Sequence, residues 1–275
     1  MQQVVTAKQE LVEKLRGVRG SVGLVMTMGA LHEGHRRLVD AARAECDTVV
    51  VSIYVNPLQF APGEDFDAYP RSLKKDLEML RDVDIVFAPS DEDMYERSPL
   101  ITVNPGDVAT RYEGRTRPTH FAGVLQVVAK VLNLVRPDKA YFGRKDAQQL
   151  ALVKTMVADL DMGVDIVGVP IVRDVDGLAL SSRNAYLSSE ERSAALAIVR
   201  ALETARAMGS AGPEAAEKAL TECLSQADGV DVDYATIVDA DTFLGVSSDA
   251  RYGLAIVAAR VGSTRLIDNM EVSFG

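Results

Sequence analysis

Tryptophan is absent from the 275 residues, and aromatic residues make up only 5% of them. Recognition built on Trp stacking is therefore excluded. Two cysteines, Cys46 and Cys223, cannot build a disulfide framework. The opening MQQVVTAKQE lacks the pattern of a secretory signal, so a reducing cytoplasm is the expectation. No stretch approaches the roughly 18–20 apolar residues of a membrane-spanning helix; the purest run is Val49 to Val55. Basic residues are outnumbered, 30 Lys and Arg against 40 Asp and Glu, for a net charge of −10. That balance argues against nucleic acid or an anionic membrane as partner, because both call for a cationic surface. No Gly-x-Gly-x-x-Gly follows a candidate strand, which disfavours a dinucleotide-dependent oxidoreductase, and no His-Glu-x-x-His occurs. Histidine is scarce too: three in all, His32, His35 and His120, two of them within four residues.

What is present is an ordinary globular mix, 47% apolar and 25% charged, of a length that suits one large domain or two modest ones. Thr6-Ala7-Lys8-Gln9 reads as a capping box opening a first helix. Apolar runs at 21–26, 48–55, 85–87, 139–142 and 166–172 read as strands, the last broken by Pro170. Helical spacings follow around Leu38, Val39 and Ala42, around Leu73, Leu77 and Leu80, and over 121–135 and 147–160. Strands alternating with helices predict a doubly wound, Rossmann-like parallel sheet, which binds ligands in the loops beyond its strand ends. After Arg183 the pattern changes to helices at 189–208 and 214–227, then strands at 232–238, 254–261 and 265–272. The fold expected is α/β with a smaller C-terminal α+β domain. Residues 1–183 would be catalytic and 184–275 would cover the active site.

Four stretches have the equipment for chemistry. Thr27-Met28-Gly29-Ala30-Leu31-His32-Glu33-Gly34-His35 lies where a strand hands over to a helix, whose N-terminal N–H groups form a natural phosphate site. Two imidazoles on one side of the first turn can donate to phosphate oxygens that gain charge in a transition state. Structural histidines and a zinc pair are the alternatives, the latter without an obvious third ligand. Tyr141 to Gln149 brings Lys145 off the end of a strand. Asp146 there can cap the next helix or help hold a metal, and Gln149 lies one turn on; an ordinary surface charge cluster is the alternative. Val172 to Asn184 contains an Asp176-Gly177 turn signal and then Ser181, Ser182 and Arg183. Two hydroxyls and a guanidinium suit a polyphosphate, and an interdomain hinge is the alternative. Asn56 to Pro70 is long for an irregular loop in a compact domain, which is usually functional. Gln59 can grip a hydroxyl or carboxylate, while Glu64, Asp65 and Asp67 fit a solvated acidic loop. Arg115, Arg117, Thr119 and His120 read as a helix entry with surface cations.

Taken in order, MTMGALHEGH, VNPLQF, DAYPR, RPTHFAGV, FGRKDAQQL, LSSRNAYL and TRLIDN resemble the pantoate–β-alanine ligase (pantothenate synthetase) family of the HxGH nucleotidyltransferase group, over almost the whole chain. The resemblance implies an ATP-dependent ligase. It would condense (R)-pantoate with β-alanine to pantothenate, a coenzyme A precursor, through a pantoyl adenylate, releasing pyrophosphate and then AMP. It implies His32, His35 and Lys145 as the catalytic groups, His35 being the residue usually assigned as proton donor. The ATP site would be lined by Met28, Gly29, Ala30, Leu31, His32, Glu33, Gly34 and His35, by Gly143, Arg144, Lys145 and Asp146, and by Val172, Leu180, Ser181, Ser182 and Arg183. Gln59 and Gln149 would hold pantoate, Mg²⁺ would bridge the phosphates, and the enzyme would be a cytoplasmic homodimer acting on small molecules.

The chain departs from the family pattern at Met26, where proline is usual, at Arg144, where Glu or Gln is usual, and at Leu58 and Leu180; none removes a named catalytic group. A related HxGH enzyme acting on a phosphate ester is the rival, but it would not need Gln59 and Gln149 for an uncharged hydroxyacid chain. The long 56–70 loop is the expected gate that keeps water from the hydrolysable acyl adenylate.

Overall fold

The computed structural model describes residues 2–61, 63, 64 and 66–275. Asp65, one of the acidic residues read in the 56–70 loop, lies outside the described residues, as does Pro62 in the expected gate. Residue contacts divide the chain into two units: the chain up to Arg144 with Leu152–Val169, and Lys145–Ala151 with Pro170–Gly275.

The first unit is built from β1 (Gln3–Val5), α1 (Lys8–Arg16), β2 (Val22–Thr27), α2 (Glu33–Glu45), β3 (Thr48–Ile53), α3 (Leu73–Met79), β4 (Ile85–Phe87), α4 (Asp91–Met94), α5 (Glu113–Thr116), α6 (His120–Val135), β5 (Lys139–Gly143), most of α7 (Ala147–Asp159) and β6 (Asp165–Val169). Its strands form one six-stranded parallel sheet in the order β1-β4-β3-β2-β5-β6. Successive residues of a strand point to opposite faces. Val49 and Val51 join Leu38, Val39 and Ala42 of α2 in one core cluster, while Val50 and Leu24 are equally buried outside it. A sheet covered on both faces needs continuous apolar strands, and that is how β3 reads. Each such side chain contributes about 1.5–3 kcal/mol by leaving water.

The sheet order reverses between β2 and β5, which pair from Gly23↔Lys139 to Val25↔Tyr141. The loops leaving these two strands therefore start side by side at the switch point, where open α/β sheets take their ligands.

Some local readings need correction. No capping box forms at Thr6: α1 has Ala7 at its N-cap with no side-chain bond. The edge strand β1, too short to show in the sequence pattern, runs to Val5 and leaves Thr6 as its exit. β6 ends at Val169 rather than running to Val172, because Pro170 has no N–H to continue the ladder.

The second unit holds the start of α7, α8 (Ser189–Met208), α9 (Pro213–Ser225) and an antiparallel sheet of β7 (Val230–Val238), β8 (Tyr252–Val261) and β9 (Thr264–Ser273), in the order β7-β8-β9. The β8–β9 turn is Gly262-Ser263, with Gly262 at φ 57°. Apolar residues of α8, such as Ile198 and Leu202, pack with Leu220 of α9 and with Val257 and Leu266 of the sheet. Among the described residues, no helix is long and apolar enough to cross a membrane.

Candidate active site

The turn from β2 into α2 is held by its own residues. Thr27 Oγ1 donates to the Ser52 carbonyl at 3.0 Å and accepts from Gly29 N–H at 3.3 Å. Gly29 at φ 82° and Ala30 at φ 51° both lie in the left-handed region, which glycine enters freely and alanine does not. The exposed N–H groups this creates are taken by Asp76, a buried carboxylate on α3. Its oxygens accept from Ala30 N–H at 3.2 Å and Leu31 N–H at 2.9 Å. Successive N–H groups in such a curl make an anion nest, and here the anion is the chain's own.

His32 is the N-cap of α2. Its Nδ1 accepts from Gly34 N–H at 3.1 Å, and His35 Nδ1 accepts from His32 N–H at 3.3 Å. The two histidines thus form a reciprocal capping box, a role usually filled by Ser or Thr with Glu. A backbone N–H can only donate, so each ring carries its hydrogen on Nε2 and presents that N–H as a donor. The ring centroids are 4.1 Å apart. A Cβ on Gly34 would lie 2.8 Å from His32 Cε1, so glycine is what lets the ring seat. Glu33 is exposed beside Arg37. Arg36, next to His35, is committed elsewhere: hydrogen bonds to Asp82 and Asp40 hold its guanidinium well above its ordinary pKa despite partial burial.

Gln59, buried, ends a 3₁₀ turn over Pro57–Gln59 that follows β3. Its Nε2 lies 2.9 Å from Met28 Sδ, and Asn56 Nδ2 donates to its Oε1 at 3.3 Å. The turn is pressed against α6, where a Cβ on Gly123 would strike the Leu58 carbonyl. Asn56 is itself buried. It donates to the Gly123 carbonyl at 3.0 Å and accepts from the Tyr95 hydroxyl at 3.3 Å; burial and then the nearby Asp91 charge push the Tyr95 phenol up to about 12, so it stays a donor. His120 Nδ1 lies 3.1 Å from the Gln59 carbonyl, and Arg117 donates to the same oxygen at 3.3 Å. Because that carbonyl only accepts, His120 Nδ1 carries a hydrogen, unlike Nδ1 of His32 and His35.

Arg117 is no surface cation. It pairs with Glu64 at 2.6 Å, both side chains largely covered. Burial lifts the Glu64 pKa, but the Arg117 hydrogen bond and charge outweigh it and hold the carboxyl below its ordinary value.

At the end of β5, Gly143 pairs with Val169. Arg144 is exposed and tied to β6, donating from its backbone to the Val169 carbonyl at 2.9 Å and from Nε to the Gly168 carbonyl at 3.1 Å. The unusual arginine thus extends the sheet edge.

In the second unit, Lys145 and the exposed Asp146 precede α7, whose first backbone bond runs from Leu150 N–H to the Asp146 carbonyl; Gln149 follows on its first turn. Val172 to Leu180 is a tight hairpin closed by Leu180 N–H to the Val172 carbonyl at 2.9 Å, with Gly177 at φ 92° in its turn. Ser181 caps the 3₁₀ helix Ser182–Tyr186 by accepting from Arg183 N–H at 3.2 Å. Lys145, Ser181, Asn184 and Asp268 line one pocket, in which Asn184 Oδ1 is buried without a hydrogen-bond partner.

The first unit therefore gathers Met28 to His35 with Gln59 and, one strand over, Gly143 and Arg144. The second gathers Lys145, Asp146, Gln149, Val172 and Leu180 to Arg183. Asp76 escaped sequence reasoning; Asn56, Arg173, Asp268, Asn269 and His120 lay inside the stretches it singled out but without a role. Asp76 lies in the helical run Leu73–Met79, where a charged residue reads as solvated, and no local signal marks it as buried.

With this geometry in view, comparison with known proteins is direct. The family model described as pantoate-beta-alanine ligase matches residues 2–271. The chain is 49% identical over 267 residues to the pantothenate synthetase of Nocardia farcinica, covering 96% of this chain and 83% of that one. It is similar to the crystal structure of pantothenate synthetase from Thermus thermophilus, with a TM-score of 0.91, 45% identity and 98% of each chain covered. It is also similar to the pantoate-beta-alanine ligase of Francisella tularensis, whose structure is described as complexed with beta-gamma ATP and beta-alanine; there the TM-score is 0.80, with 32% identity over 98% of this chain and 97% of that one.

Proposed function

The chain belongs to the pantoate–β-alanine ligase family, and from that premise we propose how its residues divide the work of joining pantoate to β-alanine. The overall reaction is the ATP-dependent condensation of the two to pantothenate. A carboxylate does not acylate an amine at neutral pH, so the reading has two steps. A pantoate carboxylate oxygen attacks the α-phosphorus of ATP, the bond to the β-phosphate breaks, and pyrophosphate leaves with the electron pair. The β-alanine amine then attacks the acyl carbon of the adenylate, the acyl–oxygen bond breaks, AMP leaves and the nitrogen loses a proton.

Negative charge builds on the phosphate oxygens in the first step, and donors fixed there before the reaction lower its barrier. The observation that carries the assignment is the His32–His35 capping box. It commits both Nδ1 atoms to the backbone, which fixes both rings at the start of α2 with their hydrogens on Nε2. In this reading Met28 to His35 line the nucleotide, as do Gly143 to Asp146, Val172 and Leu180 to Arg183. Lys145 and Arg183 supply cations to the triphosphate, and His32, His35 and Lys145 are the catalytic groups. Gln59 and Gln149 hold pantoate through amide groups, which suit an uncharged hydroxyacid chain. The catalytic work belongs to residues 1–183, and the loop after Gln59 excludes water from the adenylate.

Among the described residues, no group of three or more His, Cys, Asp or Glu stands together to hold a metal. The donor set suits a magnesium ion that arrives on the triphosphate and keeps most of its waters, with the exposed Asp146 as an available carboxylate; the ion would neutralise phosphate charge. We further propose a homodimer, which sedimentation of the purified protein tests, and a cytoplasmic location, which fractionation of cells tests.

The test of the main reading is ATP–pyrophosphate exchange with and without pantoate. The expected result is exchange that needs pantoate, with net AMP release that also needs β-alanine. Folded protein showing no pantoate-stimulated exchange would refute it.

A further inference from the structure

The second unit contains a polar junction at Asp268-Asn269 on β9. Both residues are buried, on the edge strand of the three-stranded sheet. Asn269 Nδ2 donates to the Lys145 carbonyl at 2.9 Å, a partner 124 positions away in sequence. Asp268 accepts both arms of Arg173, at 2.6 and 3.0 Å, and also accepts from Asn269 N–H at 2.8 Å. Arg173 in turn donates to the Asn269 carbonyl at 3.3 Å and, inside its own hairpin, to the Gly177 carbonyl at 3.1 Å.

The junction thus ties two stretches of chain to one strand. One ends in the Lys145 ammonium. The other is the Val172–Leu180 hairpin that leads directly into Ser181, Ser182 and Arg183. A buried carboxylate is costly without partners, and apolar residues of similar size often stabilise as well. What a bidentate guanidinium pair adds is fixed geometry. Lys145 and Ser181 line a common pocket with Asp268, so the strand setting the frame also faces it.

We propose that Asp268 and Asn269 are positioning residues for the adenylation step. They hold the Lys145 backbone and, through Arg173, the hairpin before Arg183 in one register, so that both cations meet the same triphosphate. The inference rests on the reading of Lys145 and Arg183 as phosphate ligands. It assigns Asn269 and Asp268 no contact with substrate.

A double-mutant cycle on the full chain tests it, with pantoate-dependent ATP–pyrophosphate exchange as the readout. Lys145→Ala is expected to slow exchange by about 10²–10³-fold. Asn269→Ala is expected to slow it by about 10–10²-fold, the scale of a displaced catalytic group, with the KM for β-alanine unchanged. In the Lys145→Ala background, Asn269→Ala should add less than about twofold, because residues acting through one group are not additive. Multiplying effects would overturn the proposal, since a merely structural residue acts independently of Lys145. Full exchange in Asn269→Ala beside impaired Lys145→Ala would overturn it alone. Full exchange in Lys145→Ala would remove the phosphate reading and the proposal together. Should Asn269→Ala fail to fold, Arg173→Lys serves in a cycle with Arg183→Ala, the cation its hairpin leads into, with the same non-additivity expected; it keeps the charge at Asp268 and drops the bidentate geometry.

Discussion

The β2–α2 turn and the Lys145–Arg183 region are both assigned to ATP in the proposed function, yet they are built on opposite principles. In the first, the two histidines hold each other through backbone groups two and three residues away. In the second, Lys145 and the hairpin before Arg183 are held by Asn269 and Asp268, 124 and 95 positions distant. A site made of neighbours forms when its helix forms. A site made of distant partners depends on the tertiary packing that brings β9 to it. The difference predicts that damage to the first will appear mainly in rate, and damage to the second in both rate and stability.

The largest effect that can break this contrast is His35→Ala. Loss of one oriented donor should slow adenylation about 10²–10³-fold, while loss of its share of the cap should cost only about 1 kcal/mol in unfolding. A near-normal exchange rate in single-turnover measurements would leave His35 a cap and nothing more. Asp268→Ala should show a larger stability loss in denaturant melts, beside slower exchange. Leaving the Arg173 guanidinium without its carboxylate should destabilise by about 3 kcal/mol, and a loss under about 1 kcal/mol would place the junction with weak surface pairs.

Asp76→Asn sharpens the comparison from within the first region, because Asp76 supports the β2–α2 turn from 45 and 46 positions away. An amide can accept at only one of the two N–H groups, so a loss of about 1–3 kcal/mol is expected, together with slower exchange as His32 loses its preset seat. An unchanged melt and unchanged exchange would show that the turn stands on Gly29, Ala30 and the capping box alone.

The smallest effect concerns Glu64. Burial raises its pKa, but Arg117 outweighs this and the folded value lies below the ordinary 4.5. A depressed carboxyl contributes stability that is present above its unfolded pKa and lost as pH falls through its folded one. The pair is partly solvated, so the expected contribution is under about 1 kcal/mol. Wild type should exceed Glu64→Gln in unfolding midpoint at pH 7, and the two curves should converge as the pH drops below about 4.5. Curves that stay parallel into acid would remove Glu64 as the source.

The alternation of strands with helical spacings predicted the parallel sheet, and the strand–turn–helix grammar around His32 and His35 predicted a helix N-terminus there. Both rest on short-range preferences that a linear reading can see. The capping box assigned to Thr6 shows the limit of such grammar. A three-residue edge strand, invisible as a pattern, ends at Val5 and leaves Thr6 one residue short of the N-cap, which is Ala7. Arg117 shows another limit: a cation beside a helix start reads as solvated unless its partner is known, and Glu64 lies 53 positions away.

By itself the sequence determined the sheet, the family and which stretches are the candidates for phosphate and pantoate, because periodicity and contiguous motifs are local properties of the chain. It also indicated that an anionic ligand must be met by locally placed cations, in a chain of net charge −10. The tertiary structure decided which nitrogen of each histidine carries the hydrogen, that Asp76 fills the nest beneath the β2–α2 turn, and that the strand carrying Asp268 and Asn269 anchors Lys145. Those depend on hydrogen bonds whose partners meet only after folding, and a buried polar group chooses its partner by distance in space.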